Sequence, residues 1–264
     1  MSMQSLATGS SGLQTYSQGL AVTANNLANL QTTGFKASRA NINDLIYGIL
    51  RAPGAGGQGP TAAGLGTSFG QGASVGSTQL DFAQGPLVPT GQPLDAAISG
   101  PGFFSVTDAE GNEFYSRAGN FSRNAEGQLV LPGGDQSFLA LPPVQIPADA
   151  TNVSIGADGT VTAQQGGETV ELGQLQATRF VNEEGLQQVG SNLFAETGAS
   201  GPPQGGTFGE DGFGSIASGF LEGSNVEPVE ELTTLIKDQS AFAFNAEVVR
   251  AANENLMTLQ RLRG

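Results

Sequence analysis

The chain contains neither histidine nor cysteine. That removes the imidazole and thiolate on which most nucleophile–base pairs and zinc sites are built. Carboxylates remain. Glu183-Glu184 and Glu230-Glu231 are adjacent pairs. Two carboxylates hydrolyse a glycoside only when both converge on one bond, and neighbours on a turn or a helix start are normally solvated. No spaced, Asp-rich calcium loop occurs. Gly56-Gly57 and Gly166-Gly167 lack the Lys-Ser or Lys-Thr that completes a phosphate loop. Gly100-Pro101-Gly102 precedes a strand pattern, where a dinucleotide fingerprint would open a helix. The sequence therefore predicts no catalytic residue, no metal ligand and no cofactor, and the chain is expected not to be an enzyme.

The informative residues are those that position whole elements. The first thirty-five residues carry no charged side chain. Leu6, Leu13, Leu20 and Leu27 recur every seven residues, with Gly9, Tyr16 and Thr23 at the intermediate places of an a/d seam. At the other end Leu235, Phe242, Val249 and Leu256 recur with the same period, and Leu232, Gln239, Ala246, Asn253 and Gln260 lie between them. The spacing predicts two terminal helices paired as a coiled coil. A lone surface helix has a charged outer face. A helix without one is suited to being covered on several sides, so neighbouring subunits are expected to pack on it.

Between the helices the composition changes. At 264 residues, forty of them glycine and thirteen proline, the chain has room for a sizeable core but not for long helices in its middle. Residues 101–231 hold eighteen Asp and Glu against three Arg, a net charge of −15. The flanking arms are nearly neutral. An acidic body repels nucleic acid and anionic lipid. No run of eighteen apolar residues and no basic-then-apolar leader is visible, so neither a spanning helix nor a cleaved secretory signal is expected.

Residues 4–30 read as helix, with Gly34 ending the run. Residues 35–50 read as extended or as a short second helix. Residues 52–80 contain nine glycines, two prolines and no charge. By composition that is a linker, but Leu65, Phe69 and Val75 favour a structured insertion. From 81 to 222 short apolar strands alternate with glycine turns. Ala109-Glu110-Gly111-Asn112, Ala125-Glu126-Gly127-Gln128 and Ala157-Asp158-Gly159-Thr160 are hairpin signals. Pro228 and Glu230-Glu231 suit the first turn of the second helix. The fold class read from this pattern is α+β, with terminal helices and a mainly antiparallel β middle domain. Its divisions are 1–35 with 227–264, then a bridging segment 36–80, then a β-rich body 81–226. Arg117, among so many acids, is expected to form an ion pair, more naturally with an acid of its own sheet than across subunits.

Several runs together resemble the bacterial flagellar axial proteins, the rod and hook family. They begin with Ala24-Asn25-Asn26-Leu27-Ala28-Asn29-Leu30-Gln31-Thr32-Thr33-Gly34-Phe35-Lys36. Gln84-Gly85-Pro86-Leu87, Leu94-Asp95-Ala96-Ala97-Ile98 and Gly100-Pro101-Gly102-Phe103-Phe104 follow. Tyr115-Ser116-Arg117-Ala118-Gly119-Asn120-Phe121 and Gly219-Phe220-Leu221-Glu222-Gly223-Ser224-Asn225-Val226 complete the order. Length and the segment from Asp44-Leu45-Ile46-Tyr47 to Arg51-Ala52-Pro53-Gly54 resemble distal-rod members more than the longer hook members. One departure is clear. The family's Gln-Arg-Ala-Tyr-Glu run is here Gln239-Ser240-Ala241-Phe242-Ala243, which keeps the apolar seam and loses any salt bridge made there.

The resemblance implies a helical polymer without substrate or cofactor, exported through the flagellar type III channel without a cleaved signal into a basal body that spans the periplasm. Its implied partners are further copies of itself, other rod and hook subunits and the surrounding basal-body rings, with no nucleic acid and no membrane insertion. The candidate subunit-contact residues are the heptad positions Leu6, Leu13, Leu20, Leu27, Leu235, Phe242, Val249 and Leu256. Asn25, Asn26, Asn29 and Phe35 of the first run join them. The alternatives are a proximal-rod or hook-type subunit and, from another class, a secreted β-rich adhesin with a helical stalk. A repeat adhesin would show a fixed internal period, and none is found.

Overall fold

A computed structural model describes residues 2–51, 66–134 and 136–263. Residues 52–65, the first half of the Gly-rich stretch, lie outside the described residues. The architecture is two terminal helices and a mainly antiparallel β middle. The chain divides into two compact units.

The first unit comprises Met1–Leu27, Ser38–Gln79 and Pro228–Gly264. Helix α1 is Ser2–Ala28 and helix α2 is Pro228–Arg263. Pro228 begins α2 because its fixed φ suits a first turn that needs no N–H. Glu230 and Glu231 then complement the helix dipole. The stretch after residue 37 is extended: strand Ser38–Asp44 pairs with Ala73–Leu80, and Gly48–Arg51 pairs antiparallel with Thr67–Phe69. The second half of the Gly-rich stretch is thus ordered strand. It is fastened to α1 by the Thr15 hydroxyl, which donates to the Ala73 carbonyl at 2.9 Å.

The second unit comprises Ala28–Ala37 and Leu80–Glu227. Its centre is strand Phe103–Thr107, which pairs antiparallel with Glu113–Ser116, Ser137–Ala140 and Ala177–Arg179 in a nine-stranded sheet. Successive side chains of a strand point to opposite faces, so this strand serves two cores. Phe104 and Val106 join Leu129, Leu131, Ile146, Val161 and Leu175 in one. Phe103 joins Tyr115, Phe180, Leu186 and Phe194 in the other. Strands Thr151–Ile155, Thr160–Gln165 and Glu168–Gln174 form a separate meander. The three glycine signals are all turns, with Gly111, Gly127 and Gly159 at φ of 89°, 84° and 85°.

Gly34 is used differently from the expectation. α1 stops at Ala28, and Gly34 follows a separate turn at φ 69°. Its backbone lies against Ala118, where a Cβ would meet the Ala118 nitrogen at 2.6 Å. It is required for close approach inside the body and does not cap the helix.

Gly119 illustrates how tightly the body is closed. A Cβ there would fall on the Ala96 carbonyl oxygen and within 3.0 Å of the Phe104 ring. Gly119→Ala should therefore destabilise the body by about 1–3 kcal/mol, read as a lowered urea midpoint of the β signal.

Candidate assembly surface and a buried charge cluster

The two helices of the first unit meet along their smallest and most polar residues. A Cβ on Gly9 would lie 2.8 Å from Val249 Cγ2, one on Gly12 2.5 Å from Asn245 Oδ1, and one on Gly19 3.0 Å from Asp238 Oδ2. The Asn26 amide donates to Glu231 Oε1 at 2.8 Å. As α1 advances α2 recedes, so the pair is antiparallel. The partners Gly12, Gly19, Asn26 and Asn245, Asp238, Glu231 step by seven. Glycine carries no side chain, and its absence lets the backbones approach.

The heptad period is thus as expected, but the rows that face inward differ. On α1 the buried residues are Gly9, Gly12, Thr15, Gly19, Thr23 and Asn26. Leu6, Leu13, Leu20 and Leu27 are half-buried beside that row. On α2 Leu235, Val249 and Leu256 are half-buried, but Phe242 is exposed. The expected companions Leu232, Gln239, Ala246, Asn253 and Gln260 are exposed too, and Asp238, Asn245 and Ala252 take their place. The physical reason is close approach: where glycines let the backbones come together, bulky leucines are displaced to the flanks. A period-seven reading finds the stripe but not which of two adjacent rows faces the partner.

The asparagines separate. Asn26 is buried: its side chain donates to the Ser38 carbonyl at 2.8 Å and accepts from the Ser38 N–H at 3.0 Å, in addition to holding Glu231. It joins the end of α1, the first strand and the start of α2. Asn25 is exposed and Asn29 is half-buried. Phe35 is buried in the body, and its carbonyl accepts from the Asn225 N–H.

Inside the second unit lies a cluster of charges. Lys36 and Glu222 have fully buried side chains with Nζ 2.6 Å from Oε1. Arg117 reaches the other carboxylate oxygen at 3.5 Å. Backbone groups supply further bonds. Lys36 donates to the Ala83 carbonyl at 2.8 Å, Arg117 to the Gly100 carbonyl at 2.8 Å, and the Gly85 N–H to Glu222 Oε1 at 3.0 Å. Arg117 also lies over the Phe103 ring, 5.2 Å from its centroid. Burial holds the Lys36 ammonium below its ordinary pKa, with attraction to Glu222 opposing. Burial likewise lowers Arg117, opposed first by Glu222 and then by Glu183. Arg117 Nε has no hydrogen-bond partner among the described residues. The expected ion pair of Arg117 exists, but its acid belongs to strand Phe220–Glu222 of a different sheet.

Sequence reasoning missed Lys36 and Glu222 as a pair because they are 186 positions apart. The available signal was that each stands in one of the family-like runs. The cluster is closed and structural. Among the described residues, no group of three or more metal-ligating side chains gathers, and no helix is long and apolar enough to cross a membrane.

Comparison with known proteins bears on the same runs. Residues 6–36 match the family described as flagella basal body rod protein. Residues 97–163 match the flagellar hook protein FlgE/F/G D1 domain, and residues 217–262 match the flagellar basal body rod FlgEFG protein C-terminal family. A flagellar basal-body rod protein FlgG of Agrobacterium fabrum is 39% identical over 259 residues, 96% of each chain. That of Caulobacter vibrioides is 38% identical over 266 residues, 99% of this chain and all of the relative. A rod protein FlgF of Salmonella typhimurium is 33% identical over 243 residues, 89% of this chain and 88% of the relative.

Glu222→Gln should leave two buried cations without a counter-charge and destabilise the body by about 3–5 kcal/mol. Lys36→Met keeps Arg117 beside the carboxylate and should cost less. Equal urea midpoints for the two variants would contradict this arrangement. Asp238, facing Gly19, is held above its ordinary pKa by burial. The folded state therefore binds this proton more tightly than the unfolded chain. Its contribution to pairing rises as pH falls through the raised pKa and levels off below the unfolded value of 3.8. Asp238→Asn should remove that acid-side gain, read as the difference between the two proteins' helix melting curves from pH 7 to pH 3.

Proposed function

The chain belongs to the flagellar basal-body rod protein family, and on that premise we propose that it is a distal-rod subunit whose helices build the inner tube of a hollow, torque-transmitting shaft. The relatives named FlgG match over more of the chain and at higher identity than the one named FlgF. That supports the distal position over a proximal one. The carrying observation is the helix pair itself. Outside its polar seam it exposes Ile236, Phe244, Val248 and Leu262. Apolar rows of this kind on a soluble protein mark a surface meant to be covered.

The proposed mechanism is mechanical. Heterologous contacts that do not close generate a filament, and many weak interfaces sum to a stiff shaft. In the polymer α1 and α2 supercoil as a coiled coil, with the half-buried leucine row turned toward neighbours. Ile46, Tyr47, Ile49 and Leu50, exposed on the first unit, support a bridge to adjacent subunits through residues 46–80. The partners are further copies, other rod and hook subunits and the basal-body rings. Export proceeds through the channel without a cleaved signal, into the periplasm.

Assembly of the purified chain, followed by sedimentation and electron microscopy, tests this reading. Leu13→Asp should abolish polymer, because an unpaired carboxylate buried at each lattice site costs several kcal/mol, while the β signal of the body stays unchanged. Undiminished polymer would remove the leucine row from the interface.

A further inference from the structure

α2 is longer than α1, 36 residues against 27. The register that sets Gly12 against Asn245 and Gly19 against Asp238 sets Ala252 level with Ser5. Beyond that, no described residue of α1 stands opposite the last two turns of α2. Leu256 and Leu259 continue the rows that face α1 earlier in the helix, yet Leu259 is 57% exposed. Met257 and Leu262 are 52% and 80% exposed. Arg261 is exposed in the same turn and makes no ion pair among the described residues. This is an apolar seam that no described residue of α1 covers, with a cation in it.

The opposite end of α2 carries the complement. Val229, Leu232 and Ile236 are 76%, 46% and 61% exposed. Glu230 is exposed among them and likewise makes no ion pair among the described residues. The helix start is the positive end of the dipole and the tail is the negative end. Apolar area, side-chain charge and dipole are therefore matched between the tail and the start of α2.

We propose that the tail of α2, residues 256–263, docks on the start of α2 in a second copy of the chain, Leu259 and Leu262 packing on Val229, Leu232 and Ile236 while Arg261 pairs with Glu230. The contact joins two different surfaces, so it does not close on itself and repeats along one line. A helix of this length spans about 54 Å, which sets the order of the axial repeat along that line. A second copy is the natural occupant because one chain carries both halves. This contact rests on the subunit reading above and adds the axial joint to it.

The chain has no cysteine of its own, so Val229→Cys/Leu262→Cys in the full-length protein gives a clean crosslink. Oxidation of the assembled double variant should yield a ladder of trimers and larger species on a denaturing gel. Monomers alone, or a product that stops at dimer, would overturn the head-to-tail contact. Independently, Arg261→Glu should raise the concentration needed for assembly by about tenfold or more. Adding Glu230→Arg should restore it, which mere loss of helix stability would not do. An Arg261→Glu chain that assembles like the unaltered protein, or a double variant that stays blocked, would also overturn it. An unaltered chain that forms no polymer would instead sink the subunit reading, and this contact with it.

Discussion

One buried carboxylate shared by two cations governs the β body. Glu222 holds Lys36 at 2.6 Å and Arg117 at 3.5 Å. Their mutual attraction, together with backbone bonds to Lys36, Arg117 and Glu222, offsets a desolvation cost of several kcal/mol per ion. The segments that meet there come from far apart in the chain: Gly34 and Lys36 in the body's first segment, Ala83 and Gly85 where its second begins, Gly100 and Arg117 within it, Glu222 near its end. Asn225 extends the same arrangement by binding the Ala37 N–H and the Asp81 carbonyl. The body therefore closes only when the chain's early and late crossings are both present. Hydrophobic packing alone is non-directional.

The helix pair follows the opposite logic. Its inner seam is built from glycine, threonine and amide groups, and its aliphatic side chains stay beside or outside that seam. A soluble two-helix stalk would place its leucines between the helices. Here the small seam holds the pair close, and the larger side chains remain for other surfaces to cover. On the proposed reading, stability of the pair and lattice contact rest on different residues of the same two helices.

Much of this was legible in the sequence. The turn glycines at 111, 127 and 159 and the Pro228 start are local features, set by φ preferences and by the dipole, and they were read correctly. The seven-residue period identified both helices. It did not say which row faces inward, because glycine matters through what it allows the partner to do. The Lys36–Glu222 pair was not legible as a pair. No local rule links positions so far apart, although both residues lie in the runs that carried the family resemblance. Gly34 was given the right freedom and the wrong use, since its neighbour Ala118 is distant in sequence.

On the proposed reading the protein divides into a body that closes on its own and helices whose apolar faces need neighbours. Amide hydrogen exchange of the same chain before and after assembly measures that division directly. Strands Phe103–Thr107 and Leu129–Pro132 should be strongly protected in both states. Amides of Ser2–Ala28 and Pro228–Arg263 should exchange quickly in the dilute monomer and become protected in the polymer. Helices as protected in the monomer as in the polymer, or a body that gains its protection only on assembly, would contradict it.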